Sequence, residues 1–126
     1  MERGFSLLEL MISMFILIIL LSIAVPTYQN SVRHAQETVL NENLWQMRRA
    51  IDQYATDKGK LPKSIDDLVD AKYLHERPVD PLNENSTEWD EKTGPDPNSP
   101  EGEEGLIDVK SKSEGVDADG KAYNTY

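Results

Sequence analysis

Hydrophobic residues are distributed very unevenly along this chain. From Leu10 to Val25 there are sixteen uncharged residues, and only Ser13 and Ser22 among them are polar. Extending back to Phe5 adds one carboxylate, Glu9, and gives twenty-one residues ahead of Pro26. As a helix rising about 1.5 Å per residue, that run reaches about 31 Å, the thickness of a bilayer's hydrocarbon layer. Beyond Pro26 the rhythm changes. Leu40, Leu44, Met47, Ile51 and Tyr54 recur at spacings of four, three, four and three, with Val32, Ala35 and Val39 leading in. This is one apolar stripe on an amphipathic helix, flanked by Gln36, Glu37, Asn41, Glu42, Gln46, Arg49 and Asp52. A short coiled coil would carry the same stripe. The two segments predict one long helix, bent where Pro26 removes a backbone N–H.

Asp57-Lys58-Gly59-Lys60 reads as its end, with lysine at the negative pole of the helix and glycine available for a left-handed cap. Leu61-Pro62 turns the chain. Ser64-Ile65-Asp66-Asp67 has capping-box spacing ahead of a short helix whose apolar side is Leu68, Val69, Tyr73 and Leu74. In Arg77-Pro78-Val79-Asp80-Pro81-Leu82 two prolines fix the backbone and Asp80 can accept from nearby amides. Thr87-Glu88-Trp89 is expected to begin a short strand, with Trp89 over a small core. Glu91 to Gly105 carries three prolines and three glycines among five acids, which predicts an exposed surface loop. Leu106-Ile107-Asp108-Val109 is the strongest strand, with Leu106 or Ile107 turned to the helix stripe. Trp45 is suited either to a sheet edge or to a contact with another subunit.

Charge sharpens this picture. The formal net charge is −10. Thr27 to Thr56 holds three acids and three bases, whereas Asp57 to Tyr126 holds eighteen acids and nine bases, a net of −9. An acidic head with no basic cluster beyond Arg48-Arg49 argues against nucleic acid as a partner. The chain has no cysteine, so its modest head is built without a disulfide. Catalysis has no visible basis either: His34 and His75 lie far apart in sequence, and no nucleophile elbow or phosphate-gripping glycine loop occurs.

The start of the chain is more specific. Met1-Glu2-Arg3-Gly4 is a very short leader, set directly against the apolar run. Ser22-Ile23-Ala24 could serve as a signal-peptidase site, and a plain membrane anchor is a second reading. Neither accounts for Gly4, Phe5 and Glu9 together. Gly4-Phe5-Ser6-Leu7-Leu8-Glu9-Leu10-Met11 resembles the processing motif of type IV pilins and of the major pseudopilins of type II secretion. The resemblance implies cleavage between Gly4 and Phe5 by a prepilin peptidase, N-methylation of Phe5, and roles in assembly for Glu9 and for the helix proline, Pro26. Physical chemistry supports a function for Glu9, because an acid inside hydrocarbon is costly unless paired. The amine freed at Phe5, with an ordinary pKa of about 7.7–8.0, would be its partner on a neighbouring subunit. A lone anchor with Glu9 among lipid headgroups is the plainer alternative.

The fold implied is α+β and type IV pilin-like: a long N-terminal helix packed on a small antiparallel sheet, with a loop-rich C-terminal region. Its parts would be a leader over 1–4, a membrane or filament-core half-helix over 5–26, an amphipathic half-helix over 27–58, and a head over 59–126. The C-terminal Ser111 to Gly120 gathers oxygen ligands around glycine turns. An EF-hand is excluded, since Lys121 stands at its fifth position and no glutamate follows. The resemblance to major pseudopilins implies calcium, held by Asp117 and Asp119 with an oxygen from Ser111 or Ser113. A metal-free Asp/Gly turn is the alternative. The function implied is that of a non-enzymatic subunit in a type II secretion pseudopilus that drives protein export. A surface type IV pilus for adhesion or motility is the near alternative, and a non-polymerising anchored binding module a distant one. Implied partners are further copies of the chain in a helical homopolymer, prepilin peptidase, an inner-membrane assembly platform and minor pseudopilins. The expected location is the bacterial inner membrane, single-pass, with the head in the periplasm, and a periplasmic or cell-surface filament after assembly.

Overall fold

The computed structural model describes residues 4–126, so most of the leader lies outside the described residues. Helix α1 spans Leu7–Lys58 and contains Pro26 without interruption. Ser6 starts it: its hydroxyl accepts the Glu9 amide at 3.2 Å, satisfying one of the amides that a helix start leaves open. At the other end Gly59 takes a φ of 69° and its N–H reaches the Ala55 carbonyl at 3.0 Å, the glycine cap expected there.

The chain divides into two compact units, one ending at Ala35 and one from Gln36 to Tyr126. In the first, every described residue is exposed, the whole apolar run included. Several of its hydroxyls bond along the helix itself. Ser13 donates to the Glu9 carbonyl at 2.8 Å, Ser22 to Ile19 at 2.6 Å and Thr27 to Ile23 at 2.9 Å. These bonds let hydroxyls sit in an apolar medium at little cost.

In the second unit the stripe does what its spacing requires. Leu40, Leu44, Met47, Ala50 and Ile51 are buried, with Ile65, Leu68, Leu74, Trp89, Leu106, Val109 and Tyr123 completing the core. The stripe's forerunners Val32 and Val39 are exposed. Helix α2 is Ile65–Asp70. Its expected capping box does not form: Ser64 makes no side-chain cap bond, and Glu91 accepts the Ile65 amide at 2.7 Å instead. Strands β1 (Asp90–Pro95) and β2 (Glu104–Lys110) make a two-stranded antiparallel sheet with Asp90 opposite Lys110 and a bulge at Lys92/Thr93. The expected surface loop over 91–105 is therefore a hairpin. Its first arm is β1, and Gly94 and Asp96 are buried within it. The expected strand start at Thr87 shifts to Asp90, and Trp89 is buried just ahead of it. Of the two candidates on β2, Leu106 faces the core and Ile107 is exposed.

Candidate functional site

Two regions carry the residues singled out from the sequence. In the first, Gly4 and Phe5 precede α1 and are exposed, and Glu9 occupies its first turn. An acidic residue there complements the positive pole of the helix. The S-x-x-E spacing of Ser6 and Glu9 is also a helix-start signal, realised in the bond from the Glu9 amide to the Ser6 hydroxyl. Pro26 is flanked by the side-chain bonds of Ser22 and Thr27. Phe5 and the helix from Leu7 to Val25 expose a largely apolar surface, and α1 is the one described helix long and apolar enough to cross a membrane.

The second region is the C-terminal segment. Asp117 opens a tight turn: its Oδ1 accepts the amides of Asp119 and Lys121, both at 2.9 Å. The Asp117 N–H donates to the Lys121 carbonyl at 2.9 Å, and Gly120 supplies the positive φ of 82°. Asp117 Oδ2 accepts the Tyr126 hydroxyl. That bond, with the amide bonds and the Lys121 charge, holds the Asp117 carboxyl below its ordinary range despite some burial. Burial pushes the Tyr126 phenol up, and the Asp117 bond and charge push it further. Tyr123, buried and edge-on to Tyr126 at 5.5 Å between ring centres, donates to Glu37 on α1 at 2.6 Å. Arg48 completes the tie, donating to Asp108 Oδ1 at 2.7 Å, the Val109 carbonyl at 3.1 Å and the Tyr126 carbonyl at 2.9 Å. Burial raises the Asp108 pKa, but the bonds from Arg48 and the Val109 amide outweigh it and leave the carboxyl low.

Ser111 and Ser113 belong to a different network. The Ser111 hydroxyl donates to Asp80 Oδ2 and accepts the Ser113 amide at 3.0 Å. Ser113 donates to the Leu82 carbonyl at 3.0 Å. Asp80 is fully buried and also accepts the Leu82 amide at 3.0 Å, so it anchors the Pro78–Leu82 turn to the residues after β2. No sequence spacing links Asp80 to Ser111; only the fold does.

These residues do not fit a calcium shell as arranged. Calcium takes about six to eight oxygens with free lone pairs facing one point. Here Asp117 accepts two amides and the Tyr126 hydroxyl, Asp119 is exposed, and Ser111 and Ser113 belong to the separate Asp80–Leu82 network. Among the described residues no three His, Cys, Asp or Glu side chains converge on a cation-sized site. The arrangement works as a hydrogen-bonded strap holding the C-terminal segment to α1 and β2.

The pattern described as "Prokaryotic N-terminal methylation motif" matches residues 1–25. Among similar proteins, the type IV major fimbrial protein FimA of Dichelobacter nodosus is 40% identical over 60 residues, 48% of this chain and 38% of that protein. The prepilin peptidase-dependent protein D of Escherichia coli (strain K12) is 38% identical over 60 residues, 48% of this chain and 41% of that protein. The fimbrial protein EcpC of Eikenella corrodens is 34% identical over 79 residues, 59% of this chain and 52% of that protein. The chain thus spans about two fifths to one half of the length of these relatives. No solved structure matches it. With its long helix laid on a small open sheet and its N-terminal methylation motif, the chain is homologous to the type IV pilin and fimbrial proteins at the level of that superfamily.

Proposed function

We propose that this chain is the structural subunit of a type IV pilus-type filament. It would be stored in a bacterial inner membrane by its apolar half-helix, cut after Gly4, methylated at Phe5 and drawn into a growing polymer. The observation that carries this reading is the apolar surface from Phe5 to Val25 with one carboxylate, Glu9, near its start. Lipid covers such a surface before assembly and other copies of the same helix cover it afterwards, while Glu9 meets the Phe5 amine of a neighbour. Pilin homology supports a non-enzymatic, structural role. The fimbrial names of the relatives favour a surface pilus.

A type II secretion pseudopilus is the second reading, favoured by the small cysteine-free head. In that setting an assembly platform and minor pseudopilins would be further partners. The test begins with intact mass and N-terminal sequence of protein sheared from cells. A chain starting at methylated Phe5 supports the pathway, and one retaining Met1 or starting after Ala24 overturns it. Deleting the gene then separates the readings: loss of long surface fibres marks a pilus, and retention of exoproteins in the periplasm marks a pseudopilus.

A further inference from the structure

The head carries one face whose chemistry departs from the rest. Between the Trp45–Gln53 stretch of α1 and Tyr73–His75 lies an open groove lined by Trp45, Arg49, Tyr73 and His75, with no carboxylate in its lining. Arg49 comes from the neutral stretch of α1, while Asp57 to Tyr126 carries a net charge of −9, so the groove offers a guanidinium with no carboxylate in its lining beside an acidic head. Trp45 is 54% exposed, one helical step from the buried Leu44. The Arg49 guanidinium lies over the Trp45 ring at 5.2 Å from its centre. The groove runs on past Val39, Pro78 and Val79, where Glu76 is its one acid.

The complement is on the hairpin. Pro95, Pro97, Pro100, Glu101, Glu103 and Glu104 are all exposed at its tip. The base of the tip is pinned to the turn after α1. Asp96 accepts the Leu61 amide at 2.9 Å, and the Leu106 amide donates to Pro62 at 2.7 Å. No residue of the tip lines the groove of its own chain. We propose that the Trp45/Arg49 groove of one subunit receives the Pro95–Glu104 hairpin tip of another copy of this chain. Prolines lie flat on the indole and the Tyr73 ring, and the glutamates meet Arg49. The tip is already folded into turns, with the Ser99 amide on the Asp96 carbonyl at 3.2 Å and the Gly102 amide on the Ser99 carbonyl at 3.4 Å, so it loses little freedom on docking. Tryptophan and arginine are the residues on which such contacts most depend.

This inference rests on the filament reading, and the test distinguishes the two. The full chain has no cysteine, so introduced pairs report cleanly. His75→Cys with Glu101→Cys in one chain is expected to give a ladder of disulfide-linked multimers on oxidation, and either substitution alone no ladder. Filaments without a ladder overturn the docking and leave the filament intact. A ladder without filaments supports the docking and removes the filament. Neither product overturns both, and cross-linking to a protein of another mass overturns the second copy as occupant. Independently, Arg49→Glu is expected to lower filament yield about tenfold or more. Combining it with Glu101→Lys, Glu103→Lys and Glu104→Lys should restore the yield. An unchanged yield in Arg49→Glu, or no recovery in the combined variant, overturns the charge match.

Discussion

Asp117 turns both carboxylate oxygens inward, to two amides and to Tyr126, and these bonds tie the C-terminal segment to pH. A carboxyl held low in the fold contributes stability that is complete above its unfolded value, near pH 4, and is lost as pH falls through the folded value. A phenol held high contributes stability that is complete below about pH 10 and is lost as pH rises further. Tyr126→Phe removes the phenol's contribution and the largest cause of the Asp117 one, leaving the two amide bonds and the Lys121 charge. At pH 7 its melting temperature is expected a few degrees below the parent's, with the gap closing toward pH 3 and above pH 10. A gap constant across that range would show that the bond carries no charge assistance. Asp117→Asn should flatten the acid limb and weaken the alkaline one, leaving mainly burial to hold the Tyr126 phenol up. Because the same oxygens are already engaged, calcium and chelator are expected to give the same melting temperature; a rise of several degrees with calcium, absent in Asp117→Ala, would show that the strap opens to take the ion.

At the scale of elements, what could be read in the sequence was whatever local periodicity decides. The Leu40–Ile51 stripe, the stop at Gly59 and β2 all follow from spacing or cap chemistry within one segment. Strand β1 does not. Its Asp-Glu-Lys-Thr-Gly-Pro has no alternation, and it is a strand because β2 pairs with it. The start of α2 is similar: Ser64 has the right spacing to cap it, yet Glu91 arrives from β1 and takes the Ile65 amide. The Asp80–Ser111 bond likewise joins residues that no local pattern connects. The hairpin's seat against the Leu61–Pro62 turn gives a test. A Cβ at Gly105 would stand 2.5 Å from Leu61 Cβ and 3.2 Å from the Pro62 carbonyl oxygen, both close to a backbone already tied by hydrogen bonds. Gly105→Ala is expected to cost about 1–3 kcal/mol in denaturant unfolding. A Cβ at Gly94 meets the tip of Ile107 at 2.8 Å, but that side chain is half exposed and can turn away. Gly94→Ala should therefore stay within about 0.5 kcal/mol of the parent. Equal losses in the two variants would mean that the hairpin, not its seat, sets the cost.

For the whole molecule the decisive fact is segregation: the exposed apolar surface lies before Pro26, and nearly all the net negative charge lies after Asp57. Such a chain gains from gathering its apolar halves together, while its acidic heads repel one another except where opposite charge is offered. Apolar contact alone does not fix how far one helix slides along the next, because leucine and isoleucine pack against each other at many offsets. A single carboxylate in that surface does fix it, since an acid left unpaired in hydrocarbon is penalised at every offset but the one that meets a cation. On the proposed reading Glu9 is that carboxylate, and the amine that cleavage after Gly4 would create at Phe5 is the cation. Glu9→Ala keeps Gly4 and Phe5, so cleavage is expected to proceed with the parent's mass change. It loses the interaction that sets the offset, so processed subunits should accumulate in the membrane while sheared filament falls to a small fraction of the parent's. Glu9→Asp retains the charge on a side chain shorter by one methylene and should recover part of the yield. Normal filament from Glu9→Ala would place the registering contact in the heads, where the Trp45 groove and the hairpin tip would then have to supply it.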